Sequence, residues 1–243
     1  MEKKRLKRKI SGDSVPAYAP QKREARLNLL IVGEAPGRLG ADYSGLPFWG
    51  DRAGDVLWGA LKKHGYAIWE SSWEGIPPSQ WPDGGLKEIR PKLSSVAITN
   101  AYNQCPSQSE TKIKKPTKAQ IRDLSQSGRL FSELQTLKPR LVWVIGQSAL
   151  FAVSLHVLEK DQMRVKKLLT GGLLEKHATL CPGLSLQGFE ADLLVTTHCS
   201  PLVVNSRFGA NPERWLKKIH PILKKYAPEK TQGFSNPSAV FVG

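Results

Sequence analysis

Four short apolar runs punctuate the chain: Leu29-Leu30-Ile31-Val32, Val96-Ala97-Ile98-Thr99, Leu141-Val142-Trp143-Val144-Ile145 and Leu193-Leu194-Val195-Thr196-Thr197. Each is short, partly β-branched and stopped by a small or polar residue, the pattern of strands buried on both faces of a parallel sheet. Helical spacing fills the gaps. Val56, Leu57, Ala60 and Leu61 line one face of a helix over 51–65, closed by Gly65. Thr117 is a suitable N-cap for a helix to about Leu137, with Ile121, Leu124, Phe131 and Leu134 inward and Gly128 weakening its middle. Residues 148–158 form an apolar helix, and Asn211-Pro212 caps and starts another that runs to Tyr226. The alternation of strand and helix predicts a three-layer α/β/α sandwich around a central, mostly parallel four-stranded sheet.

The stretches between these elements read as loops. Residues 66–91, rich in Trp, Pro and Gly (Trp69, Trp73 and Trp81 among them), form an irregular excursion over the surface. Residues 101–116 form a polar loop carrying Cys105, Lys112, Lys114 and Lys115. Residues 161–187 are basic and mixed, with turns at Gly171-Gly172 and Pro182-Gly183, and 198–210 read as loop. The expected organisation is a basic flexible tail over 1–26, one domain over 27–228 and a C-terminal tail over 229–243.

The residues that close each strand carry more information than the strands. Gly33-Glu34, Asn100, Gly146-Gln147 and His198 all fall at strand C-terminal ends. In a parallel sheet those ends share one edge, where ligands bind in open α/β folds. The stretch after the first strand, Gly33-Glu34-Ala35-Pro36-Gly37, permits a tight turn with exposed amides, and Asp42 and Phe48 come after it. Two acids, free backbone amides and a flat ring are equipped to hold a planar group and do polar chemistry on it. Read residue by residue, the stretch also suits an ordinary strand-to-helix loop, with Phe48 as core and Asn100 and His198 as structural hydrogen-bonders.

The formal net charge is +15 over 243 residues. Residues 1–10 supply +5 of it, six Lys or Arg against one Glu, which leaves +10 on the rest. A body that basic favours a polyanionic partner, nucleic acid above all. Cys105, Cys181 and Cys199 make neither a disulfide framework nor a four-ligand metal site, which points to a reducing, intracellular setting. No apolar run suggests a signal peptide or a membrane span.

Taken in order, Gly33-Glu34-Ala35-Pro36-Gly37, Gly45-Leu46-Pro47-Phe48-Trp49-Gly50, Thr99-Asn100 and His198-Cys199-Ser200-Pro201-Leu202 resemble the uracil-DNA glycosylase superfamily over about residues 28–226. The first two elements are similar to the family-4 enzymes. The continuation Gly50-Asp51-Arg52-Ala53-Gly54-Asp55 is nearer the family-5 branch, and the histidine loop resembles that of family 1. The resemblance implies a monofunctional DNA glycosylase that flips uracil, or a related deaminated base, out of single- or double-stranded DNA and hydrolyses its N-glycosidic bond. It would act as a monomer and leave an abasic site. Phe48 would stack on the base, with Gly33 and Ala35 beside it, and Asn100 would read the Watson–Crick edge. His198 would donate to the base's O2. Asp42, or second Glu34, would orient the water. Leu202 would fill the vacated stack. Gly37, Ser200, Pro201 and Arg207 would meet the DNA backbone.

The departures from the family pattern are specific. Ala35 stands where several families carry the acid or amide that handles water. Cys199 replaces the usual proline of the histidine loop. Three cysteines cannot close the four-thiolate iron–sulfur cluster of families 4 and 5, so no metal and no cofactor is expected. Two alternatives stay open: a non-catalytic, base-sensing DNA-binding member of the same fold, and a phosphoester enzyme using the Gly33–Gly37 turn as an anion site.

Overall fold

The computed structural model describes residues 13–21, 26–70, 75–106, 114–170 and 177–228. The basic cluster at 1–10, Trp73, Lys112, Gly171-Gly172 and the C-terminal tail lie outside them. The elements in chain order are β1 (Leu29–Gly33), α1 (Ala41–Ser44), α2 (Arg52–Lys63), β2 (Ala67–Ile68), α3 (Asp83–Glu88), β3 (Lys92–Leu93), β4 (Val96–Asn100), α4 (Lys118–Gln126), α5 (Arg129–Leu137), β5 (Leu141–Ile145), α6 (Gln147–Ser154), α7 (Glu159–Thr170), β6 (Thr179–Leu186), β7 (Phe189–Thr196), α8 (Pro201–Phe208), α9 (Pro212–Leu216) and α10 (His220–Lys225).

The main sheet runs β4-β1-β5-β7-β6. The four strands expected from the apolar runs, β1, β4, β5 and β7, are parallel neighbours. A fifth, β6, pairs antiparallel with β7 at one edge. Its sequence hides it: Pro182-Gly183, which reads as a turn, is an irregularity inside the strand, where the register shifts between Cys181 and Leu184.

Side chains alternate across the sheet with the strand period of two. Leu29, Ile31, Val96, Ile98, Trp143 and Leu194 face a core shared with Leu57, Leu61, Trp58, Trp215 and Leu223. Leu30, Val32, Ala97, Val142, Val144 and Val195 face a second core with Ile121, Leu130, Leu134, Leu150 and Val153. Helices therefore cover both faces, and each fully buried Leu or Ile contributes about 1.5–3 kcal/mol.

Several boundaries differ from the sequence reading. The helix expected over 117–137 is two, because Gly128 takes φ 74° between α4 and α5. Thr117 does cap α4, in a reciprocal capping box with Gln120. The helix expected from Asn211 to Tyr226 breaks between α9 and α10, the second restarting with Pro221 in its first turn. The span 198–210, read as loop, is mostly α8, begun by Pro201 and ended by Gly209 in a left-handed conformation. In the 66–91 excursion, Trp69 and Trp81 pack edge-to-face against Trp49, and Trp69 also against Trp58. Within the stretch assigned to the N-terminal tail, Tyr18 exchanges backbone hydrogen bonds with Ile98 on the outer edge of β4, both at 2.8 Å.

Candidate active site at the carboxyl edge of the sheet

The four strand ends converge as their shared parallel direction requires. Gly33 and Asn100 are register partners across β1 and β4. Residue 33 has no room for a side chain: a Cβ there would lie 2.5 Å from Phe48 Cε2 and 2.6 Å from Asn100 Oδ1. The glycine lets a ring and an amide close over the strand end. Asn100 is 1% exposed, and its Nδ2 is buried with no hydrogen-bond partner. Such a group costs about 1–3 kcal/mol unless something pairs with it.

Phe48 reaches this place through a left-handed backbone, φ 58°, which is strained for a bulky residue. Its carbonyl oxygen sits 1.6 Å from where a Cβ on residue 54 would be, so the Phe48 backbone lies directly on Gly54 of α2. The ring centroid is 6.3 Å from that of His198, the planes tilted by 32°.

His198 comes just after β7. Its Nδ1 accepts the Ser200 backbone N–H at 3.0 Å. A nitrogen that accepts carries no proton, so the neutral ring holds its proton on Nε2 as a donor. Burial pushes the imidazole pKa below its ordinary value; Glu34 opposes that shift and Lys115 adds to it. The ring is therefore neutral at pH 7. Thr197, one residue earlier, is held by Trp215, whose indole N–H donates to its Oγ1 at 3.1 Å, and its Oγ1 also bonds His177 Nδ1 at 3.1 Å.

Glu34 is buried and anchored on the first turn of α6. Its Oε1 accepts the Ser148 N–H at 3.0 Å, and Lys115 Nζ stands 3.7 Å from its Oε2. Gly146 makes the space, with φ 96° and a would-be Cβ 2.7 Å from the Glu34 carboxyl carbon. Asp42 is buried in α1, and its N–H donates to Gly37 O at 3.0 Å. Ala35 is half-buried and brings no polar group.

Two parts of the site escape sequence reasoning. Asp51 caps α2 by accepting the Gly54 N–H at 2.8 Å. Its carboxylate lies under the Gly37–Gly40 turn, since a Cβ on either glycine would fall within 2.8 Å of Asp51 Oδ2. Burial pushes its pKa up to about 6, and its charge in turn raises that of Cys199, whose thiol burial already pushes far up. Arg129, on α5, donates to Thr99 Oγ1 at 3.0 Å, to Ala101 O at 3.3 Å and to the carbonyl of Asn100. The Asp after Gly50 and the Arg after a mid-helix Gly were visible as residues, but no local pattern ties either to a distant strand end.

On the outer side of the loop, Leu202 is 80% exposed on the first turn of α8, and Arg207 is exposed on its last. Gly37 is exposed, and Ser200 and Pro201 are half-exposed. Gly37 follows the end of β1, and Ser200, Pro201, Leu202 and Arg207 follow the end of β7.

The thiols do not fit a four-thiolate cluster. Cys105 lies beyond β4 at one edge of the sheet, Cys181 on β6 at the other, and Cys199 is fully buried. Among the described residues, no group of three or more His, Cys, Asp or Glu is placed to hold a metal ion. No helix there is long and apolar enough to cross a membrane.

A search of curated proteins returns no match. The family model of the uracil DNA glycosylase superfamily matches residues 20–224, a span that takes in all four strand ends, the Phe48 turn and the histidine loop. With the sheet, the strand-end residues and that match in agreement, the chain belongs to the uracil DNA glycosylase superfamily, whose members are DNA glycosylases.

Proposed function

We propose that the protein excises uracil from DNA by hydrolysing its N-glycosidic bond. One observation carries this reading: the buried, unpartnered Asn100 Nδ2 stands beside Phe48 at a strand end where a neutral His198 offers an Nε2 donor. An amide supplies one donor and one acceptor. Uracil presents the complementary acceptor, O4, and donor, N3–H, whereas cytosine presents the reverse. A site built to pair with both groups discriminates strongly, because the wrong base leaves buried polar atoms unpaired.

In the reaction, DNA binding rotates the nucleotide out of the stack, at a cost of a few kcal/mol. Phe48 then lies against the base. As the C1′–N1 bond breaks, its electron pair goes to the base and negative charge collects on O2, where His198 Nε2–H donates to it. Preorganised donors of this kind are typically worth about 10²–10³ in rate. Water adds to C1′, and its proton passes to a carboxylate. We assign that role to Asp42, whose place matches the acid of the family-5-like pattern, with Glu34 second; the Glu34 oxygens face the Ser148 amide and Lys115. Glu34 keeps negative charge near the imidazole. Gly37, Ser200, Pro201 and Arg207 meet the phosphate backbone, and Leu202 enters the gap left by the base.

The test is a panel of labelled oligonucleotides carrying uracil opposite guanine, uracil opposite adenine, uracil in a single strand, and hypoxanthine, each treated with alkali to break abasic sites. The reading expects cleavage of uracil substrates. Silence on all four, with DNA bound, favours the base-sensing alternative.

A further inference from the structure

Asn100 has a demanding task in the proposed reaction and little to hold its side chain. Its Nδ2 has no protein partner, so no hydrogen bond to that nitrogen fixes the amide. Its placement is set by the direction its backbone imposes and by the close contact with Gly33. That backbone is the last residue of an edge strand. β4 pairs with β1 on its inner side, where the Ala101 N–H reaches Gly33 O at 2.7 Å. On the outer side, the period of two aims the backbone groups of Ile98 and Asn100 the same way. Ile98 pairs with Tyr18 there, at 2.8 Å in both directions, and the next bond from that segment skips to Asn103 O, from Val15 N at 2.7 Å.

Arg129 fills the gap. One guanidinium nitrogen donates to the carbonyls of Asn100 and Ala101, and the other to Thr99 Oγ1 at 3.0 Å and Glu133 Oε1 at 2.6 Å. Three consecutive residues of the strand end are thus tied to α5 by one planar, rigid fork. Glu133, four residues along the same helix, fixes the fork in turn. A lysine ammonium carries the same charge but cannot span these acceptors.

We propose that Arg129 is the positioning residue for Asn100: it sets the base-reading amide by clamping the strand end from the outer side. This rests on the reading of Asn100 as the base reader and names what gives that residue its accuracy. A displacement of about 1 Å in such a group can cost about 10²-fold in rate.

Two measurements test it in the full chain. The first is the ¹⁵N-resolved side-chain amide pair of Asn100, assigned by its disappearance in Asn100→Ala. Arg129→Lys should shift or broaden this pair while amide pairs of distant Asn and Gln residues stay in place. The second is a double-mutant cycle on uracil excision. Arg129→Lys should lower kcat/KM about 10- to 100-fold in the wild-type background and less than about threefold when Asn100 is already Ala. Glu133→Gln, which loosens the fork without removing it, should move the amide pair in the same direction and serves if Arg129→Lys folds poorly. An unmoved amide pair, or equal losses in both backgrounds, would overturn the proposal. If the chain excises no uracil, the amide pair still decides the positioning claim on its own, so the two failures are distinguishable.

Discussion

Asn100 stands opposite Gly33 across the β1–β4 pair, its Oδ1 only 2.6 Å from where a Cβ on residue 33 would sit. The same missing methyl makes room for the Phe48 ring, 2.5 Å away. One glycine thus brings together the two groups that would grip a flipped base. Gly33→Ala is expected to push both aside and to lower uracil excision about 10²-fold. Its cost in stability should be about 1–3 kcal/mol, the range for overpacking. Single-turnover kinetics and thermal melts separate the two effects; full activity in the variant would mean that the ring and amide are not the base's partners.

The His198–Ser200 contact makes a pH prediction. The imidazole pKa is lowered by burial, so the neutral ring with its Nε2 donor is the state at pH 7. The excision rate should fall on acidification from pH 8, with its midpoint below the ordinary histidine value of 6.5. The stability sign runs the same way. The unfolded chain takes up the proton more readily than the folded one, so His198 lowers stability as pH falls through 6.5 and is neutral above it. A rate that rises on acidification would contradict the neutral-donor assignment.

Asp51 carries the opposite linkage. Its carboxyl pKa is raised from 3.8 to about 6, mainly by burial. The folded state therefore holds the proton longer, and the charged form costs stability once pH has risen through about 6. The difference corresponds to a ceiling of about 3 kcal/mol. Asp51→Asn keeps an acceptor for the Gly54 N–H and removes the buried charge. Its melting temperature should exceed the wild type's at pH 8, with the gain shrinking below pH 6 and gone near pH 4. A lower melting temperature at pH 8 would show that the charge supports the Gly37–Gly40 turn.

Leu202 is 80% exposed, so Leu202→Ala should leave stability within about 0.5 kcal/mol of wild type. If the side chain fills the gap left by a flipped base, the variant should be slowed on duplex uracil far more than on single-stranded uracil, which has no stack to fill. Comparing the two substrates under single-turnover conditions checks this; equal slowing on both would remove the wedge role.

Much of this architecture is legible in the sequence because its signals are local. The four parallel strands are apolar runs stopped by Gly, Asn or His, and the site residues sit where those runs end. The structure brings Gly33, Glu34, Phe48, Asn100 and His198 to one edge; Asp42 lies buried in α1, tied by its N–H to the Gly37 turn. What escaped depends on non-local partners. β6 shows little apolar periodicity because a register shift interrupts it and its first five residues are only half-buried or exposed. α8 reads as loop because only Val204 of its eight residues is buried, which leaves no apolar stripe. Arg129 looks like a solvated helix charge; only the fold shows that it faces the end of β4, some 30 residues away in sequence. Asp51 opens the helix expected over 51–65 and proves to be its N-cap, while its place beneath the glycine turn needs three dimensions.

In the proposed reaction, Asn100 and His198 act on a uracil held by Phe48. The most direct measurement is the single-turnover excision rate on a uracil–guanine duplex for wild type, Asn100→Ala and His198→Ala, with DNA affinity measured in parallel. The wild type should excise efficiently, each variant should lose about 10²–10³-fold, and affinity should change little, since binding comes mainly from phosphate contacts. Wild-type rates in both variants would contradict these roles.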